Sequence, residues 1–276
     1  MIDLHTHTNE SDGTFSPAQL IEAAVSARLE AVAITDHDTL AGYDAASGPA
    51  RQAGLDLVCG IELSTKWRRR SVHLLGYFLD GGPSAAFREW IRIMQESRRD
   101  RNRRMAARLR ELGFDIRIEE VEARGRGMTG RPHFAAVMLE KGYVSNLRQA
   151  FDDYLDESAI AYVQRLEPQL GEAVSRIREG GGVAALPHPV RLEEISSLED
   201  ALPELCGMGL QGLEAYHSDH TSAQTGFLLN LARRHGLVVT GGSDFHGAHK
   251  PGLDLGCVDV PKSVLDELRA YAATAA

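Results

Sequence analysis

The stretch Leu29-Glu30-Ala31-Val32-Ala33-Ile34-Thr35-Asp36-His37-Asp38 decides the fold. Its apolar run suits a strand buried on both faces, as in a parallel sheet. It ends abruptly in ionisable side chains, and the carboxyl ends of parallel strands are where α/β folds place their sites. Helix signals flank it. Ser16 is a good N-cap with Pro17 at the first helical position, and Ala18 to Ala27 continues the helix. A second helix fits Leu40 to Ala53, ending near Gly54. Ile2 to His7, Leu55 to Ile61 and Val72 to Phe78 read as further strands.

The pattern changes after Pro83. Phe87 to Leu112 reads as one long charged helix. Residues 113–162 are less regular, with short helical patterns at Arg131 to Glu140 and Leu147 to Leu155. Residues 100–165 are therefore expected to form a helical insertion, a cap over the site, between barrel segments 1–99 and 166–276. Alternation then resumes. Helices fit Glu167 to Glu179, Leu198 to Gly207, Thr221 to His235 and Pro261 to Ala273. Strands fit Gly182 to Leu186, Leu210 to Ala215 and Leu237 to Thr240. Repeated βα units predict a parallel sheet covered by helices, and some seven strands suggest an incomplete barrel. Gly180-Gly181-Gly182 precedes a strand, so it reads as a turn rather than a phosphate loop.

Composition narrows the function. The chain of 276 residues is 43% hydrophobic, ordinary for a soluble globular protein. Met1-Ile2-Asp3 leads straight into polar residues, and no apolar run approaches the roughly 18 residues of a membrane span, so a cytoplasmic protein is expected. Cys59, Cys206 and Cys257 are widely spaced and form no Cys-x-x-Cys, so any metal is held by His and carboxylate. The net charge of −9 argues against bulk attraction to nucleic acid. Yet Arg88 to Arg131 holds 13 Arg and 8 acidic residues, a local excess suited to a small anion. Within it, Arg98-Arg99-Asp100-Arg101-Asn102-Arg103-Arg104 lacks interleaved aromatics and reads as a solvated helix face. No G-x-x-x-x-G-K-[ST] loop is present.

The chemistry-bearing residues recur where strands end. His5 and His7 alternate, so they share a side of their strand. Asp12 follows in Ser11-Asp12-Gly13. His37 lies in Asp36-His37-Asp38, Glu62 in Gly60-Ile61-Glu62, and His188 in Leu186-Pro187-His188-Pro189. His73 opens a strand, and Asp244 and His246 alternate in Gly241-Gly242-Ser243-Asp244-Phe245-His246. Each signal alone is weak. Burying so many ionisable groups together without an ion is costly. Imidazole with carboxylate and no thiolate suits Mn, Zn or Fe. Nine ligands at three or four per ion imply two or three divalent ions. Such clusters make hydroxide from water and clamp a phosphoryl group, which points to phosphoester hydrolysis. Asp36 or Asp38 is expected to orient a metal-bound imidazole.

Asp3-Leu4-His5-Thr6-His7-Thr8, Ser11-Asp12-Gly13, Ile34-Thr35-Asp36-His37-Asp38, Gly60-Ile61-Glu62 and Gly242-Ser243-Asp244-Phe245-His246 resemble, in combination and order, the PHP (polymerase and histidinol phosphatase) superfamily. The resemblance implies a distorted (β/α)7 barrel with a trinuclear site, with Mn²⁺ the first expectation and Zn²⁺ or Fe²⁺ the alternatives. It implies that one ion takes His5, His7, Glu62 and Asp244. A second takes Glu62 as a bridge with His73 and His188, and a third takes Asp12, His37 and His246. The Ser-Asp-Gly-Thr turn and helical insertion resemble the nucleoside 3′,5′-bisphosphate phosphatases, which are similar to bacterial 5′–3′ exoribonucleases. Asp12, where many histidinol phosphatases carry His, leans the same way.

Substrate contacts are expected from Arg131 and His133, which close the basic region and offer a phosphate-matched fork. His217 and His220 follow a strand, so either is a candidate to hold phosphate or protonate the leaving group. Lys250 is a candidate of the same kind. The reading is a metal-dependent phosphoesterase that takes the 3′-phosphate from a nucleoside 3′,5′-bisphosphate, with short RNA as a further substrate and no obligate protein partner. Its rivals are a histidinol-phosphate phosphatase, an amidohydrolase-type C–N hydrolase and a non-catalytic PHP binding module.

Overall fold

A computed structural model describes residues 1–125, 127–192 and 195–275. Seven strands follow one another around a single sheet: β1 (Ile2–Asp3), β2 (Ala31–Ile34), β3 (Asp56–Trp67), β4 (Arg70–Phe78), β5 (Val183–Leu186), β6 (Gly212–His217) and β7 (Val238–Gly242). The sheet curls back on itself. The Leu4 amide donates to the Gly241 carbonyl at 3.0 Å and the His7 amide to the Phe245 carbonyl at 2.9 Å, so the end of β1 lies against β7. Side-chain alternation explains why these strands are apolar throughout. Ala31 and Ala33 join Ile2, Leu4, Leu75, Tyr77, Val183 and Ala185 in one core. Val32 and Ile34 face the other way, under α1 (Pro17–Ser26) and α2 (Ala41–Ala53). The Tyr77 hydroxyl donates to the Leu4 carbonyl at 2.9 Å, which satisfies its polar tip in that core.

The all-parallel expectation is corrected. β4 runs antiparallel to both β3 and β5. β3 and β4 are also longer than expected and form a hairpin through Arg68 and Arg69, whose φ values are 47° and 68°. Two left-handed residues make a tight hairpin turn that normally selects Gly or Asn, so two arginines hid it. In the opposite direction, the predicted strand Ile2 to His7 shrinks to Ile2–Asp3. Beyond it the chain is held by single bonds to residues 241–245 on one side and to Thr35 on the other, while its imidazoles turn inward.

The other helices agree with their signals. The Ser16 hydroxyl accepts from the Gln19 amide, and Gly54 closes α2 at φ 68°. The long helix α3 (Ala85–Glu111) starts two residues early because Ser84 caps it. Its first half packs Phe87, Trp90 and Met94 on the barrel. Its second half packs Met105, Ala106 and Leu109 into a separate core with Phe134, Met138, Leu155 and Ala161. A boundary at residue 100 therefore falls inside one helix. That second core gathers α4 (Ile118–Glu122), α5 (Arg131–Glu140) and α6 (Leu147–Ala150), and α6 loosens into a π-turn over Phe151–Leu155. The barrel is completed by α7 (Leu170–Glu179), α8 (Ile195–Gly207), α9 (Ser222–His235) and α10 (Lys262–Ala275). No described helix is long and apolar enough to cross a membrane.

Candidate metal centre

All nine candidate ligands converge at one end of the barrel. Glu62 is their hub. Its Oε2 lies 3.3 Å from His5 Nε2, 3.1 Å from His7 Nε2 and 3.3 Å from His37 Nδ1. Its Oε1 lies 2.9 Å from His73 Nδ1 and 3.0 Å from His188 Nε2. Asp244 Oδ1 lies 3.5 Å from His5 Nε2 and 3.4 Å from His7 Nε2. Asp12 closes a further group, 3.3 Å from His246 Nε2 and 3.7 Å from His37 Nε2. Four overlapping sets result among the described residues: His5-His7-Glu62-Asp244, His7-Asp12-His37-His246, His37-Glu62-His73 and His5-Glu214-His217.

Two of the sequence reasons for this convergence are corrected. Glu62 and His73 sit inside β3 and β4, not at strand ends, and reach the site because the hairpin overhangs it. Asp244 does not alternate with His246 on a strand, because β7 stops at Gly242 and Asp244 turns left-handed at φ 56°. His188 is likewise left-handed at φ 30°. Non-glycine residues held in this region carry strain that the surrounding structure must sustain, and such positions cluster at sites. Gly242 serves the same end by close approach: a Cβ there would stand 2.3 Å from the His5 amide nitrogen.

The hydrogen bonds behind the imidazoles settle which nitrogen offers a lone pair. His5 Nδ1 lies 2.9 Å from Glu214 Oε1, so Nδ1 carries the proton and Nε2 faces Glu62 and Asp244 as a ligand. His246 Nδ1 donates to the Asp244 carbonyl at 2.8 Å, which leaves Nε2 free for the Asp12 set. His7 Nδ1 and Nε2, His37 Nδ1 and His188 Nδ1 are buried with no hydrogen-bond partner. The orphaned nitrogens of His7 and His37 around a central carboxylate fit divalent ions, which would take one lone pair from each ring.

Glu214 was missed in the sequence. It is fully buried on β6 and also accepts from the His188 amide at 2.6 Å, so one carboxylate fixes two candidate ligands. Asp36 and Asp38, expected in that role, do other work. Asp36 accepts from the Thr8 amide at 2.7 Å, the Thr8 hydroxyl at 2.6 Å and the Ser11 hydroxyl at 2.7 Å, which shapes the loop bearing Asp12. Asp38 accepts from the Ser64 amide at 2.8 Å and pairs with Arg98 and Arg165.

That pairing corrects the reading of the arginine run. Arg98, Arg101 and Asn102 are buried, while Arg99, Arg103 and Arg104 face solvent. Spacing of three and four residues puts the buried set on one helical face with Met105, a signal the sequence did carry. Arg98 and Arg101 line a cavity of about 230 Å³ together with Arg131, His133 and Tyr162, and His37, His73 and Asp12 of the centre line it too. Arg101 has no carboxylate partner among the described residues, and its Nε is buried without a hydrogen bond. Burial, then the neighbouring Arg98, Arg165 and Arg131, hold its pKa well below the ordinary guanidinium range. His133 Nδ1 accepts from the Gly130 amide at 3.1 Å, so the neutral ring carries its proton on Nε2 as a donor.

The remaining substrate candidates separate. His217 is the last residue of β6, and its Nδ1 accepts from the Asp219 amide at 2.9 Å. Its proton is therefore on Nε2, aimed at Asp244 Oδ2 3.6 Å away. An Nε2 proton fits an anion, while His217 also forms, with His5 and Glu214, a group that could hold an ion. Lys250 Nζ also binds Asp244, as does Arg191 at 3.0 Å, the latter unforeseen in sequence. His220 stands behind His217, ring centroids 5.1 Å apart, with Nδ1 bonded to the Ala215 carbonyl. The geometry does not bring it to the metal cluster.

The PHP domain model matches residues 3–159. The chain is 32% identical over 260 residues to the 3′,5′-nucleoside bisphosphate phosphatase of Chromobacterium violaceum, covering 92% of this chain and 90% of that one. It is 34% identical over 250 residues to the phosphoribosyl 1,2-cyclic phosphate 1,2-diphosphodiesterase of Eggerthella lenta, covering 89% and 94%. A solved structure from Bifidobacterium adolescentis, provisionally named a metal-dependent phosphoesterase, superposes with a TM-score of 0.83 at 33% identity, over 98% of this chain and 95% of the other. The chain belongs to the PHP domain family, as a hydrolase of its phosphoesterase kind.

Proposed function

We propose that the protein removes the 3′-phosphate of nucleoside 3′,5′-bisphosphates, with two or three divalent ions, Mn²⁺ foremost, held by His5, His7, Asp12, His37, Glu62, His73, His188, Asp244 and His246. Ions bound there supply an activated water and charge neutralisation at the transferring phosphoryl group. The protein's own groups do the rest. Glu214 holds His5 and His188 in the orientation for binding. His217, Lys250 and Arg191 converge on Asp244 Oδ2, the place where a substrate oxygen would find three donors.

One observation carries the choice of substrate. Arg101 is a buried cation with no ion pair among the described residues, beside Arg98 and Arg131, with Glu167 acting on it from a distance, in a cavity that opens on the ligand set. Arginine stays charged in proteins, so this cavity is built for an anion that arrives with the substrate. A second phosphate on the same small molecule meets that demand. Tyr162 and Phe151 line the same cavity and suit a nucleoside. Residues 100–165, which supply Arg101, Arg131 and His133, act as the substrate cap.

The test is phosphate release from adenosine 3′,5′-bisphosphate with added Mn²⁺, read beside histidinol phosphate. The expected result is AMP and phosphate from the first with little turnover of the second. Turnover of histidinol phosphate alone would reverse the assignment. A relative from Haemophilus influenzae named a 5′–3′ exoribonuclease, 30% identical over 88% of this chain, supports extending the reading to short RNA.

A further inference from the structure

The helical insertion grips the two turns that carry Asp12 and His37. The Met128 amide donates to the Glu10 carbonyl at 2.7 Å, two residues before Asp12. Asp38 follows His37 directly, and its Oδ2 pairs with Arg98 of α3 and with Arg165, the latter at 3.2 Å. The Gln95 side-chain amide, one turn before Arg98, donates to the Asp38 carbonyl at 3.0 Å. Asp12 and His37 belong, with His7 and His246, to one ligand set. The other candidate ligands are held by the barrel itself. Glu214 fixes His5 and His188, and Arg191 and Lys250 hold Asp244. Glu62 and His73 lie within paired strands. The Asp38 amide also donates to the Glu62 carbonyl at 3.0 Å, but the pairing of β3 with β4 holds Glu62 without it.

Arg98 and Arg165 also line the cavity assigned to the second phosphate of the substrate. Each therefore faces two ways, which a guanidinium can do because it spreads its donors over several nitrogens. Arg98 gives Nη2 to Asp38 and to Ser64 Oγ, the latter at 2.9 Å. Arg165 gives Nη2 to Asp38 and Nε to Glu167. That leaves Nη1 of each for an anion, so a phosphate and Asp38 can share the arginines without competing. An anion that fixes both guanidinium groups also fixes Asp38, and with it the turn that carries His37.

We propose that Asp38 is a positioning residue that couples the two sites: through Arg98 and Arg165, the second phosphate of the substrate tightens the ion held by Asp12, His37 and His246. That ion is the loosest of the centre in the free protein, and the nucleotide completes its site. Coupling between two binding sites is reciprocal, so the ion tightens the nucleotide by the same factor. The inference rests on the phosphatase reading of the arginine cavity and the metal centre.

The experiment is calorimetric titration of Mn²⁺ into the stripped full chain, without and with saturating adenosine 5′-phosphate. This nucleotide carries the second phosphate and has no 3′-phosphate to lose. In the unaltered protein it should tighten the weakest ion about tenfold and move the others by less than about twofold. Asp38→Asn removes the charge and keeps a residue type that tolerates the left-handed backbone found there, φ 53°. Asp38→Asn combined with Arg165→Met removes one charge of each sign, so no additional cation is left unpaired to unfold the protein. Both variants should keep the tighter ions and still bind the nucleotide through Arg101 and Arg131. In both, the tightening should fall to within about twofold. Full tightening in either variant would place the nucleotide directly on the ions and overturn the coupling. Equal weakening of every ion would mark a structural role alone and overturn it too. If the unaltered protein binds the nucleotide and no ion tightens, this inference falls while the phosphatase reading stands. If it binds neither Mn²⁺ nor nucleotide, both fall.

Discussion

Replacing Arg101 with Met separates the demands of function from those of stability. Met keeps most of the apolar stem that packs beside Met105 on α3 and removes the guanidinium. In the substrate complex a charge-assisted bond to phosphate is worth about 1.5–3 kcal/mol. Arg101→Met should therefore lower kcat/KM for adenosine 3′,5′-bisphosphate by about 10–150-fold. Adenosine 3′-phosphate, which lacks the second phosphate, should be hydrolysed at nearly the original rate. Without substrate the effect reverses. Asp38 answers Arg98 and Arg165, and no carboxylate answers Arg101 among the described residues. Removing a like charge from that group should stabilise the free protein by about 1 kcal/mol, on the scale of charges interacting across a partly wet site. For a chain of this size that is a rise in Tm of about 2 °C. Steady-state kinetics on both substrates and calorimetry of the free protein read the two effects. Equal losses on both substrates, or a lower Tm, would refute the reasoning.

Glu214→Gln should weaken metal binding about 10–100-fold, measured by competition with a chelating dye, because it weakens the partner that fixes the His5 tautomer. Asp38→Asn leaves two buried guanidinium groups facing each other and should cost about 3–5 kcal/mol at neutral pH by denaturant titration. The pH dependence of that cost follows from its sign. Burial raises the Asp38 pKa, but Arg98 and then Arg165 outweigh it and hold the group below its ordinary 3.8. A depressed carboxylate contributes stability that is full above the unfolded value and fades as pH falls through the folded one. The gap between original and variant should therefore narrow below pH 3.8 and not above it.

Much of the site was legible because metal ligation draws on few residue types, and those stood out against apolar strands. His5, His7, His37 and Asp244 were visible as polar ends to buried runs. The barrel was legible for the same reason, since strands covered on both faces are continuous apolar segments such as Ala31 to Ile34. What escaped was set by turns and by long-range pairing. The Arg68-Arg69 turn concealed a hairpin, and with it the antiparallel course of β4. Glu214 was overlooked because its strand neighbours are apolar and its partners lie 26 and 209 residues away. Arg98 and Arg101 looked solvated because composition counts charge without regard to which helical face it occupies. Asp38, read as a partner for imidazole, instead anchors those arginines.

The central claim is a multinuclear metal centre that performs hydrolysis, and metal stoichiometry set against activity tests it most directly. The protein would be stripped with chelator, reloaded with Mn²⁺, freed of excess ion and analysed by mass spectrometry beside its phosphate release from adenosine 3′,5′-bisphosphate. The account predicts no activity in the stripped protein and full activity at two to three ions per chain. Full activity in the stripped protein, or at a single ion per chain, would contradict it.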